Sequence, residues 1–185
     1  MTESTNERVL VVIDGDNFWE FIKVAQEPLE KIIDQYANRR SILVRPMMFL
    51  SIEGIDDSNF STDGGQILFG YTADYYVYQT RKNNSIIQIE TFNKHTPRQI
   101  KQFQNKGYPD LRVFIYILKN LNNFDTLMLF TGDGDFVEAA EYLKEEYGKE
   151  TEFYHYTIEG QFANRNIRRY QKSINLEKHI KPQFR

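Results

Sequence analysis

"DTLMLFTGDGDF", residues 125 to 136, runs an apolar stretch into two glycines and two aspartates. A short continuous run such as residues 127–130 reads as a strand buried on both faces, the kind found in parallel sheets. After it, Phe136, Val137, Ala140, Leu143 and Tyr147 recur at helical spacing. The unit is therefore strand, tight acidic turn, helix. Asp133 and Asp135 sit close together beside an apolar strand, where lost water strengthens their repulsion. A positive partner is needed to keep both ionised, and a divalent cation would supply it.

The same unit opens the chain. Residues 8–14, "RVLVVID", form a Val- and Ile-rich run that ends in Asp14-Gly15-Asp16-Asn17. Phe18, Phe21, Ile22, Ala25, Leu29, Ile32, Ile33 and Tyr36 then follow at helical spacing, and Pro28 breaks or kinks that helix or starts a second segment. Further strands are expected at 41–50, with Pro46 marking an edge or bulge, at 85–92 and at 150–156. A helix ending near residues 80–84 is expected within 67–82. Leu111, Phe114, Ile115, Leu118 and Leu121 mark another from Asp110 onward, and a last one is expected around 161–172. Residues 51–66 are polar with three glycines and read as a surface insertion, while 93–107 form a basic, polar connection.

Strands alternating with helices predict an α/β fold with a mainly parallel sheet, and the length fits a single domain over 1–185. Ligands of such sheets bind beyond the carboxyl ends of the strands. Strand one delivers Asp14 and Asp16 to that edge, and strand four delivers Asp133 and Asp135. Asp110, directly after Pro109 at a helix start, joins them if its helix begins at the same edge. Oxygen-rich sites of this kind suit Mg²⁺ or Mn²⁺. Plainer duties compete for each residue: Asp135 or Asn17 as a helix N-cap, Asp110 as a helix-dipole partner.

Composition narrows the classes. The chain of 185 residues is 41% hydrophobic and 15% aromatic, enough for a sizeable core. It has no cysteine and three histidines, which excludes disulfides and thiolate metal sites and disfavours a histidine-rich zinc site. Net charge is −3, so any nucleic-acid surface must be local. The start "MTESTNER" has no signal-peptide pattern, and no apolar run approaches a membrane span. A soluble, cytoplasmic protein is expected.

Asp14-Gly15-Asp16-Asn17, Lys106-Gly107-Tyr108-Pro109-Asp110 and Thr131-Gly132-Asp133-Gly134-Asp135-Phe136 together resemble the three motifs of the NYN domain family of PIN-like nucleases. The likeness runs in order over residues of about 8 to 176, and the third motif is its most specific part. It implies a PIN-like three-layer α/β/α sandwich and a metal-dependent endoribonuclease. Asp14, Asp110, Asp133 and Asp135 match its metal-holding and catalytic acids, Asn17 its motif asparagine, and Thr131 a residue beside the substrate. The ion implied is Mg²⁺ or Mn²⁺ and the partner RNA. Two departures stand out: Pro109 adds a residue to the middle motif, and Tyr116 stands where the family often has a further acid.

An acidic protein must still attract a polyanion. Lys94, Arg98, Lys101 and Lys106 precede Asp110, and Arg165, Arg168, Arg169 and Lys172 lie late in the chain. Arg165 with Arg168 or Arg169 falls on one helical face, able to meet phosphates or simply to be solvated. Two other functions fit parts of the pattern. One is a PIN-like module that binds RNA or protein without cutting. The other is a haloacid-dehalogenase-like phosphatase with Asp14 as nucleophile. That class expects Thr or Val where Phe18 stands, and an aspartate where Val137 stands. Oligomeric state and protein partners are left open.

Overall fold

The computed structural model describes residues 7–38, 40–42, 46–51, 61–62, 65–66, 70–72, 75–79, 86–92, 108–158 and 161–184. In chain order the elements are β1 (Arg8–Asp14), α1 (Gly15–Val24), α2 (Leu29–Ala37), β2 (Ser41–Ile42), β3 (Met47–Ser51), β4 (Ser61–Thr62), β5 (Gly65–Gln66), β6 (Gly70–Thr72), β7 (Tyr75–Gln79) and β8 (Ile86–Phe92). There follow α3 (Tyr108–Lys119), β9 (Thr126–Phe130), α4 (Asp135–Tyr147), β10 (Glu150–His155), β11 (Thr157–Ile158), β12 (Gln161–Phe162), α5 (Arg165–Arg169) and β13 (Ser173–Asn175).

The main sheet runs in the order β13-β10-β9-β1-β3-β8-β7-β6. From β13 to β8 every pairing is parallel, and only β7 and β6 turn antiparallel at one edge. Strands β1 and β9, the first and fourth expected, lie side by side at its centre with Ile13 opposite Phe130. Their alternating residues split between two cores. Val9, Val11, Ile13, Met128 and Phe130 pack with Phe18, Phe21, Leu29, Ile32 and Ile33 of α1 and α2. Leu10, Val12, Leu127 and Leu129 pack with Val113, Ile117, Phe136, Ala140, Leu143 and Ile167 of α3, α4 and α5. Helices therefore cover both faces, giving the PIN-like α/β/α sandwich. Each such fully buried side chain stabilises by about 1.5–3 kcal/mol, which is why both faces of the central strands are apolar. No helix among the described residues is long and apolar enough to cross a membrane.

Pro28 caps the start of α2, so the long amphipathic stretch is two helices. The stretch 41–50 is likewise two strands, with Pro46 just before β3. Three expectations need correction. The helix within 67–82 is replaced by β6 and β7, because Tyr75, Tyr76, Val77 and Tyr78 suit a pleated surface paired with β8. Of the stretch 51–66, the described residues are Ser51 at the end of β3 and the antiparallel pair β4 and β5. The late helix is only the five residues of α5, capped by the Asn164 side chain and followed by β13, a strand the sequence did not suggest.

The third correction concerns the buried face of α3, expected along Leu111, Phe114, Ile115, Leu118 and Leu121. Apolar residues at 111, 113, 114, 115, 117 and 118 define overlapping stripes, so periodicity alone cannot choose between them. Packing over β1 and β3 buries Val113 and Ile117, whereas Leu111 and Ile115 are 51% and 36% exposed. The buried stripe is in line with Asp110 at i, i+3 and i+7.

Candidate active site

The first turn of α1 begins on Asp14, whose side chain caps the helix by accepting from the Asn17 amide at 3.3 Å. Asp14 is 5% exposed. Its other oxygen, Oδ2, accepts from the Thr131 hydroxyl at 2.7 Å, across the junction between β1 and β9. The same hydroxyl oxygen accepts from the Asp133 amide at 3.1 Å. Thr131 thus joins the first and third acidic segments through one buried oxygen.

A second tie runs through Asn17, which lies inside α1 and is not its cap. Its Oδ1 accepts from the Gly132 amide at 2.6 Å, and its carbonyl accepts from the Tyr156 hydroxyl at 2.6 Å. A Cβ on Gly132 would stand 2.9 Å from that Oδ1 and 3.3 Å from the Ala163 Cα, so the close approach requires glycine. Gly134 is closed in the same way, since a Cβ there would lie 2.3 Å from the Asn164 Cγ. Asn164 donates its own amide to the Gly132 carbonyl at 2.8 Å. Asp133 Oδ1 accepts from the Asp135 amide at 3.1 Å, which shapes the entry into α4. Asp135 is exposed at the start of that helix and is not its cap.

Electrostatics mark two of the carboxyls. Burial pushes the Asp14 pKa up to about 7, against the hydrogen bonds from Thr131 and Asn17, with the charges of Asp110 and Asp16 raising it further. Burial likewise raises Asp110 to about 6, helped by the charges of Asp133, Asp135 and Asp16. Five carboxylates from three segments therefore share one field at the carboxyl edge of the sheet. Neither Asp14 nor Asp110 is paired with a cation among the described residues.

This donor set fits a hard, water-rich cation held by one or two carboxylates, the usual manner of Mg²⁺. No group of three or more Asp, Glu or His side chains among the described residues stands close enough to hold one ion. Tyr116, in place of the further acid, is packed edge-on against Phe49, and its buried hydroxyl has no hydrogen-bond partner among the described residues.

The remaining expected residues are spread more widely. Lys106, with Lys94, Arg98 and Lys101, lies outside the described residues. Arg165, Arg168 and Arg169 are exposed on α5. Arg169 lines a groove against α4, and the charge of Arg168 acts with burial to lower the pKa of His155. Lys172 lies beyond α5, 3.6 Å from Glu150. Sequence reasoning did not single out Tyr156 or Asn164. Polar residues just past β10 and before α5 were the available signal.

The order of these three segments on a parallel sheet is matched by a family. The NYN domain family matches residues 8–177. This chain belongs to the NYN domain family. NYN domains are PIN-like, are usually nucleases and generally use divalent metals. Among curated proteins no match is found. The fold of this NYN domain is similar to a crystal structure of a protein of unknown function from Vibrio parahaemolyticus, with a TM-score of 0.60 and 11% identity over 97% of this chain and 99% of that one.

Proposed function

We propose that this NYN domain is a metal-dependent endoribonuclease that hydrolyses RNA phosphodiester bonds at the carboxyl edge of β1 and β9. The observation that supports the reading is the pair Asp14, buried, and Asp110, half-buried, which lie within electrostatic reach of each other, are both raised in pKa and have no cationic partner among the described residues. Asp14 and Asp110 would hold Mg²⁺ or Mn²⁺, with Asp133 and Asp135 completing the acidic rim. When bound, the ion supplies a water of lowered pKa and positive charge to offset that developing on the phosphate oxygens. Thr131 fixes the Asp14 carboxylate, and its hydroxyl also orders the Asp133 turn. Asn17 accepts from the Gly132 amide and so ties the two acidic loops together. Arg165, Arg168 and Arg169 offer phosphate contacts beside the rim.

The test is incubation of the purified protein with labelled single-stranded and structured RNA, in Mn²⁺, Mg²⁺ or EDTA. Internal cleavage with either ion and none in EDTA is expected. RNA that stays intact with both ions would refute the reading. A second reading, RNA binding without cutting, draws on there being no group of three or more carboxylates close enough to hold one ion among the described residues. It expects equal RNA affinity with and without the ions. The NYN match leaves the phosphatase alternative without support.

A further inference from the structure

A groove of about 880 Å³ leads away from Asp135 between α4 and α5. Its α4 wall carries Glu138 and Glu141, and its α5 wall carries Asn166, Arg169 and Tyr170. Neither glutamate accepts a hydrogen bond from any described residue, and Arg169 forms no ion pair with them. Tyr170 is half-buried, its ring held edge-on by Phe153 at a centroid distance of 4.8 Å. A polar groove lined by one aromatic ring and two exposed carboxylates suits a flat, donor-bearing ring.

We infer that this groove is a guanine subsite, receiving the base next to the phosphate at the acidic rim. The inference rests on the nuclease reading for its place in a reaction, but its binding chemistry stands alone. A carboxylate is an acceptor only and takes two parallel donors best. Guanine presents two adjacent donors, N1–H and the N2 amino group, whereas adenine, cytosine and uracil each present a single donor group on that edge. Along α4 the rise of 1.5 Å per residue puts Glu138 and Glu141 about 4.5 and 9 Å beyond Asp135, the scale of one nucleotide. Tyr170 stacks on the base, and Arg169 meets the phosphate.

The test is equilibrium binding of GMP, AMP, CMP and UMP to the full chain, without added metal, followed by calorimetry or NMR. GMP is expected to bind at least tenfold more tightly than the other three, in line with the discrimination of a bidentate contact. A Glu138→Gln/Glu141→Gln double variant is expected to lose that preference and keep its affinity for AMP. Arg169→Ala is expected to weaken all four alike. Equal binding of the four nucleotides, or a guanine preference that survives the double variant, overturns the inference. Tight GMP binding by a protein that cuts no RNA would instead uphold the subsite and refute the nuclease reading.

Discussion

Thr131, at 0% exposure, donates its hydroxyl hydrogen to Asp14 at 2.7 Å, joining the ends of two adjacent central strands through one buried side chain. The bond does two things at once. It compensates a carboxylate that has lost most of its water, and it fixes the direction in which the free lone pairs point.

Thr131→Val keeps the shape and deletes the hydroxyl. Asp14 loses its shortest hydrogen bond, and the Asp133 amide loses its acceptor. Stability is expected to fall by about 1–3 kcal/mol. Metal-supported cleavage is expected to fall about 10–100-fold beyond the loss of folded protein, as for residues that orient ligands. Urea titration alongside Mn²⁺ titration of cleavage separates the two effects.

The raised carboxyls make stability depend on pH. Asp14 moves from 3.8 to about 7 and Asp110 from 3.8 to about 6 on folding. Between about pH 4 and 7 the folded chain therefore binds more protons than the unfolded one, and stability falls as pH rises through that window. Unfolding in EDTA at pH 5 and pH 8 should show the loss, and Mg²⁺ at pH 8 should restore much of it. Asp14→Asn should flatten the profile.

Glu30 supplies an independent case far from the rim. It is 7% exposed in α2, its carboxyl oxygens accept from no other described residue, and burial raises its pKa to about 7. Glu30→Met is expected to stabilise the fold, more at pH 8 than at pH 5, because only the ionised form carries the full desolvation penalty. Equal effects at the two pH values would show that the carboxyl stays neutral or is compensated.

Gly132→Ala tests the closure between the acidic loops. The added methyl would meet Asn17 Oδ1 at 2.9 Å and the Ala163 backbone at 3.3 Å, so Asn17 must release the Gly132 amide. Thermal unfolding should reveal a loss of about 1–3 kcal/mol, and cleavage should drop with it.

Much of the fold was legible because the central strands carry their burial in their composition. Val9 to Ile13 and Leu127 to Phe130 are apolar at every position, which only a strand covered on both faces requires. The acidic edge was legible for the same reason, since aspartates follow each run within three residues. Local pattern failed where tertiary contacts choose among equivalent options. Residues 111–118 are apolar nearly all round, so only the sheet could select Val113 and Ile117. Tyr75 to Tyr78 become a strand through pairing with β8. The link between Asn17 and Gly132 joins positions 115 residues apart, and no short-range signal encodes it.

Asp110 offers the most direct test of the central claim, because its carboxylate makes no hydrogen bond or ion pair with any described residue. Asp110→Asn preserves volume and removes only the charge. The decisive measurement is cleavage of labelled RNA by this variant in Mn²⁺, with metal-free melting measured in parallel. We expect cleavage to fall by orders of magnitude, with the melting temperature unchanged or higher because repulsion from Asp133, Asp135 and Asp16 is relieved. Full cleavage by a well-folded Asp110→Asn protein would contradict the account.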